Sequence, residues 1–153
     1  MKTKTKYFLL LLSALINIKA SFAAEEKVDQ LGLFINVNQN CPFTIEQINN
    51  AIEGEFLRAR VEPSNNLLFN LNVDISCLKI TNEGGNQTGY AVSYDIRYGT
   101  QTENGTNVLI ETPKYGSMLI GGPASSSSLF FINAIKDSTY LALTDYLKMM
   151  MES

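Results

Sequence analysis

Leu67-Leu68-Phe69-Asn70-Leu71-Asn72-Val73-Asp74-Ile75-Ser76-Cys77 is the stretch whose pattern sets the architecture. Leu67, Phe69, Leu71, Val73, Ile75 and Cys77 fall on one side of an extended chain, with Leu68, Asn70, Asn72, Asp74 and Ser76 on the other. Successive side chains of a strand point to opposite faces, so this alternation predicts a strand with one face in the core and one in water. Downstream, past the turn-rich residues 81–89, Tyr90, Val92, Tyr94, Ile96 and Tyr98 alternate with Ala91, Ser93, Asp95 and Arg97. The pair reads as an antiparallel hairpin with a long loop. Residues 99–107 form a second polar loop. Val108 to Ile120 reads as a further strand, bent or split near Pro113, where a ladder donor is missing. After Gly121-Gly122-Pro123, a last helix is predicted to start within the serine run Ser125 to Ser128 and to reach about Met150, with Phe131, Ile135, Ala142, Leu143, Tyr146 and Leu147 on it.

Upstream, Leu31, Leu33, Ile35 and Val37 alternate with Gly32, Phe34, Asn36 and Asn38 as a half-buried strand. Thr44 followed by Gln47 makes a capping box, and Ile45, Ile48, Ile52 and Phe56 recur at helical spacing. A helix to about Arg60 follows despite Gly54, which costs about 1 kcal/mol against alanine, and Pro63 with Ser64-Asn65-Asn66 ends it. The expected fold is an α+β two-layer sandwich of β-α-β-β-β-α order, an about four-stranded mixed sheet with both helices on one face.

Cys41 and Cys77 are the only cysteines, and they read as one disulfide. Closing a loop of about 37 residues is worth on the order of 4 kcal/mol in the chain-entropy view. The bond also constrains topology. Cys41 follows the first strand and Cys77 ends the second, so both strand ends must lie at one edge of the sheet. A right-handed parallel crossover does this, and strand order 1-2-3-4 with the first pair parallel is expected.

A disulfide implies an oxidising compartment, and the N-terminus supplies a route to one. Lys2, Lys4 and Lys6 precede the apolar run from Phe8 to Ile18, and Ser21-Phe22-Ala23 offers small residues for cleavage after Ala23. Residues 1–23 thus read as a signal peptide and 24–153 as a single domain, with no stable membrane insertion after cleavage. Lys2, Lys4, Lys6 and Lys19 leave with the peptide while all 15 acidic residues remain, giving 8 basic residues and a net charge of −7. Basic residues are scattered singly, which argues against nucleic acid as a partner. The expected compartment is the periplasm, with the extracellular space as the alternative.

No histidine occurs anywhere, which removes Ser-His and Cys-His nucleophile systems and the commonest metal ligand. Ser76-Cys77-Leu78-Lys79 matches S-x-x-K, but that chemistry needs a helix where the pattern predicts a strand. Residues 121–125, Gly-Gly-Pro-Ala-Ser, match neither phosphate-binding fingerprint and read as a strand-to-helix turn. Asp74 and Asp95 reach the same outer face and suit glycoside hydrolysis in principle. If Cys77 faces Tyr94, Asp74 lies opposite Arg97 and an ordinary cross-strand ion pair accounts for both. Tyr90, Tyr94 and Tyr98 share parity with Val92 and Ile96, so they are expected in the core with polar tips at its rim. Asn86-Gln87-Thr88 and Asn104-Gly105-Thr106 fit the glycosylation pattern in loops, and Met149-Met150-Met151 reads as a frayed helix end.

The polar face opposite the helices, bearing Asn36, Asn38, Asn70, Asn72, Asp74, Ser93, Asp95 and Arg97, is the candidate recognition surface. Within it, Asn70, Asn72, Asp74, Asp95 and Arg97 form the central set. The expected role is that of an exported, non-enzymatic binding module for another periplasmic or envelope protein, with no cofactor or metal. A small-molecule carrier with its ligand near the tyrosines, and a hydrolase working without histidine, are the alternatives.

Overall fold

A computed structural model of the chain describes residues 29–38 and 40–152. The signal peptide read over residues 1–23 lies outside the described residues. The elements run β1 (Asp29–Val37), α1 (Ile45–Ala59), β2 (Val61–Ser64), β3 (Asn70–Thr81), β4 (Gln87–Gln101), β5 (Asn107–Gly121) and α2 (Ala124–Glu152). The sheet is five-stranded, ordered β2-β1-β3-β4-β5, with β2, β1 and β3 parallel and β4 and β5 antiparallel. The four strands legible in the sequence keep the expected order, and β1 and β3 are parallel as the disulfide demanded. The addition is β2, a four-residue edge strand containing Pro63.

β2 and β3 are two halves of one extended run that changes sides of β1. Gly32 is in register with Ser64 of β2 on one side and with Asn70 of β3 on the other. Residues 65–69 cross between those positions, and the Gly32 N–H donates to the Phe69 carbonyl at 3.1 Å. A β-carbon on Gly32 would collide with the Asn66 carbonyl oxygen and lie 2.6 Å from the Asn70 β-carbon. Only glycine lets one backbone pass over another this closely. Leu67 therefore does not sit on the core side, as strict alternation predicted; it is lifted onto the outer face by the crossing, and regular β3 starts only at Asn70.

Thr44 caps α1 as the motif indicated: the Gln47 N–H donates to Thr44 Oγ1 at 3.2 Å, and the Thr44 N–H donates to Gln47 Oε1 at 2.9 Å. The helix ends one residue early, with Arg60 in the left-handed region at φ 55° so that the chain can turn straight into β2. α2 begins at Ala124, ahead of the expected start, because the Pro123 carbonyl accepts the N–H groups of Ser126 and Ser127. The serines donate rather than cap. Ser127 Oγ bonds the carbonyls of Gly122 and Pro123, and Ser128 Oγ those of Ala124 and Pro42, tying the two helix starts together.

The core is one cluster. Ile48, Ile52 and Phe56 of α1 and Phe131, Ile132, Ile135, Ala142, Leu143 and Tyr146 of α2 cover Leu31, Leu71, Val73, Ile75, Val92 and Ile96 of the sheet. Both helices thus pack on one face, and the two-layer α+β sandwich stands. The disulfide joins Cys41 to Cys77 with Cα atoms 5.0 Å apart. It sits where β1 ends beside β3, since Val37 pairs with Ile75 and the Asn38 N–H reaches the Ile75 carbonyl at 3.0 Å.

The tyrosines anchor α2. Tyr94 Oη meets the Ala134 carbonyl at 3.3 Å and Ser138 Oγ at 3.1 Å, and Tyr98 Oη donates to the Ala142 carbonyl. Tyr115 Oη donates to Asp145 Oδ2 at 2.7 Å, and Asp145 Oδ1 pairs with Lys148 at 2.8 Å. Each ring supplies apolar area to the core, and its hydroxyl finds a hydrogen-bond partner on α2.

Candidate functional site

The outer face of the sheet is covered by neither helix, and the ladder registers arrange it in cross-strand rows. At one end Gly32, Asn70, Gly99 and Leu109 line up, followed by Phe34, Asn72, Arg97 and Lys114. The next row is Asn36, Asp74, Asp95 and Gly116. Ser76, Ser93 and Met118 follow, then Leu78, Ala91 and Ile120. All five residues of the central set lie together on this face within three adjacent rows, as their parity predicted.

The hairpin register differs from the one expected. Cys77 pairs with Val92 rather than Tyr94, so Asp74 faces Asp95 and Arg97 faces Asn72. The tight turn at 82–86, closed by Asn82 through its backbone and its side chain, sets that register, in place of the long loop read from composition. The cross-strand Asp74–Arg97 pair therefore does not exist. Two carboxylates lie directly opposite, an unfavourable arrangement unless each is separately compensated. Each is: Asn36 Nδ2 donates to Asp74 Oδ1 at 3.1 Å, while Asp95 Oδ2 takes Arg97 at 2.6 Å and Asp95 Oδ1 has Lys114 at 3.8 Å. The hydrogen bond to Asp95 is the main cause holding the Arg97 guanidinium above its ordinary pKa, with the charges of Glu111 and Asp74 adding to it.

Beside this charged centre lies a groove of about 280 Å³ lined by Phe34, Leu67, Asn70, Asn72, Thr100, Asn107, Val108 and Leu109. Its floor depends on Gly99, where a β-carbon would strike Asn70 Oδ1 and lie 2.5 Å from Asn72 Nδ2. Without a side chain there, Asn72 Nδ2 donates to Asn70 Oδ1 and Asn70 Nδ2 donates to the Leu67 carbonyl at 2.8 Å. Asn70 is thereby a buried structural strut, and Asn72, half-buried, lines the groove beside it. The sequence pattern missed the groove, because Leu67 and Leu109 reach this face only through the crossing at Gly32 and the irregular β5. The register there jumps from Arg97–Lys114 to Gly99–Leu109, so residues 110–113 of β5 bulge out against Tyr98. Pro113 stands at that break, as expected for a residue without a ladder donor.

At the opposite end of the face, Leu78, Met118 and Ile120 are 72%, 70% and 72% exposed, an apolar cluster on an otherwise polar sheet. Ser76 and Lys79 lie on β3, both exposed, which is incompatible with a helical Ser-Lys acylation pair. Among the described residues, no group of three or more acidic or cysteine side chains converges to hold a metal ion, and no helix is long and apolar enough to cross a membrane.

Fold and face together describe a disulfide-stapled α+β sandwich with one open sheet surface. The sequence matches no protein-family profile and no curated protein. Among solved structures, the chain is similar to a minor lipoprotein from Acinetobacter baumannii, at 10% identity and a TM-score of 0.42 over 74% of this chain and 87% of that one. It is also similar to the rare lipoprotein B from Shewanella oneidensis, at 13% identity and a TM-score of 0.35 over 79% of this chain and 94% of that one.

Proposed function

We infer that the protein is an exported, non-enzymatic binding module that recognises another envelope or secreted protein through the outer face of its sheet. The carrying observation is the composition of that face: a groove, an ion-paired centre and an apolar end on one rigid surface, free of either helix. Recognition surfaces combine apolar anchors with orienting polar groups in this way. The signal-peptide pattern and the disulfide support export to an oxidising compartment. Asp74 and Asp95 support binding rather than hydrolysis. Glycosidase acids sit in apolar pockets that keep them protonated, whereas here one carboxylate holds an amide donor and the other two cations.

Photo-crosslinkers placed singly at Ser76, Ser93 and Thr144 of the mature chain test the reading in an envelope preparation. Crosslinks to one dominant protein from the two sheet positions, and none from half-buried Thr144 on α2 in the helix layer, are the expected result. Removing Asp95 and Arg97 together, so that neither charge is orphaned, should weaken capture about tenfold or more with little change in thermal midpoint. Crosslinks confined to Thr144 would overturn it.

The groove favours one second reading, a carrier of a small neutral ligand. The groove lies on the sheet face opposite Tyr90, Tyr94 and Tyr98, which are packed in the core. Native mass spectrometry of protein purified from its own compartment would show a retained mass, lost on Gly99→Leu.

A further inference from the structure

The two edges of the sheet differ. β2 is four residues long and carries Glu62 and Pro63, a charge and a missing donor that both discourage strand addition. Among the described residues β5 pairs only with β4, and beyond its bulge it runs regularly from Tyr115 to Gly121 as Tyr-Gly-Ser-Met-Leu-Ile-Gly. No charged residue occurs in those seven positions of an acidic chain. Such an edge is a template for another strand.

We propose that this edge pairs with the same edge of a second copy, antiparallel about a two-fold axis at Met118, to make one continuous ten-stranded sheet. The segment is self-complementary in that register. Met118 meets Met118, Ser117 meets Leu119, Gly116 meets Ile120 and Tyr115 meets Gly121, so both glycines lie opposite large side chains. Pro113 falls opposite Pro123, which ends the shared ladder at both sides with residues that have no N–H to offer. Lys114 falls opposite Gly122, so no charge opposes a like charge even though the chain as a whole repels itself. On the outer face the pairing brings the two apolar clusters of Met118 and Ile120 side by side, withdrawing from water side chains that are 70% and 72% exposed in one copy. The groove and the Asp95–Arg97 centre stay open, and each dimer presents them twice. A self-pairing edge needs an isologous interface, and this pairing of large against small residues about Met118 provides one.

Sedimentation equilibrium of the oxidised mature chain, from micromolar to sub-millimolar concentration, tests the proposal. The expected result is a reversible doubling of mass. Met118→Lys and Met118→Glu, each alone, should be monomeric with an unchanged thermal midpoint, because like charges then meet at the axis while the monomer loses no buried contact. An equal mixture of the two should recover the dimer, as lysine then faces glutamate. A wild-type chain that remains monomeric throughout the range would overturn the proposal. So would a dimer that survives both substitutions, since it would be formed by another surface.

Discussion

Two glycines shape the candidate face by what they leave out. At Gly32 the absent side chain lets residues 65–69 cross β1, and at Gly99 it makes room for the Asn70–Asn72 amide pair. Gly32→Ala would push a methyl group into backbone that is tied on both sides of β1, where no side chain can swing away. We expect a loss of about 1–3 kcal/mol or more, read as a lower urea midpoint. The tyrosine hydroxyls set an alkaline limit. Burial pushes Tyr98 up to about 12, and Tyr115 moves the same way, through burial first and then its bond to Asp145. A raised folded-state pKa favours the protonated form. The stability these groups add is therefore complete below the ordinary tyrosine value of about 10 and is lost as pH rises through their folded values. Ultraviolet titration should show Tyr98 ionising only well above the ordinary tyrosine value, with unfolding accompanying that step. Asp145 is held below the usual carboxylate range by Lys148 first and Tyr115 second, so its contribution is present above a pH of about 4 and lost below it. Tyr115→Phe should cost about 1 kcal/mol at neutral pH by the same melt, since its partner is partly in water.

α1 is the element whose ends are most fully specified locally. Its capping box is reciprocal, and its last turn gives way to Arg60 in the left-handed region. Thr44→Ala removes the acceptor for the Gln47 N–H and should cost about 0.5–2 kcal/mol in a thermal or urea melt, with Thr44→Ser nearly neutral. α2 differs in kind. It is long, its start is set by the Pro123 carbonyl, and the hydroxyls of Tyr94, Tyr98 and Tyr115 tie it to β4 and β5. The strands were legible wherever one face is buried, because period-two alternation survives in β1, β3 and β4. β2 was not legible. Four residues with a proline carry no alternation to detect, and they become a strand only because the turn after α1 delivers them to the edge of β1.

At the scale of the whole molecule, the Cys41–Cys77 bond ties the end of β1 to β3 across a separation of 36 residues. Reduction, or paired replacement by serine, should lower stability by on the order of 4 kcal/mol with the native circular dichroism retained at low denaturant. A reduced chain that unfolds at the same urea concentration as the oxidised one would show that core packing alone carries the fold. The sequence by itself determined the class and the plan: which faces are apolar, that two helices lie on one side, that the disulfide forces β1 and β3 parallel, and that five polar residues share the open face. Those are consequences of periodicity and covalent geometry, which are local. Only the tertiary structure decided the strand crossing at Gly32, the two-residue difference in hairpin register and the bulge at residues 110–113. Those features created the groove and gave Arg97 to Asp95 rather than to Asp74. A one-face alternation is unchanged by a slip of two residues, so periodicity cannot choose between such registers. The turn at 82–86 and the contacts across the sheet make that choice.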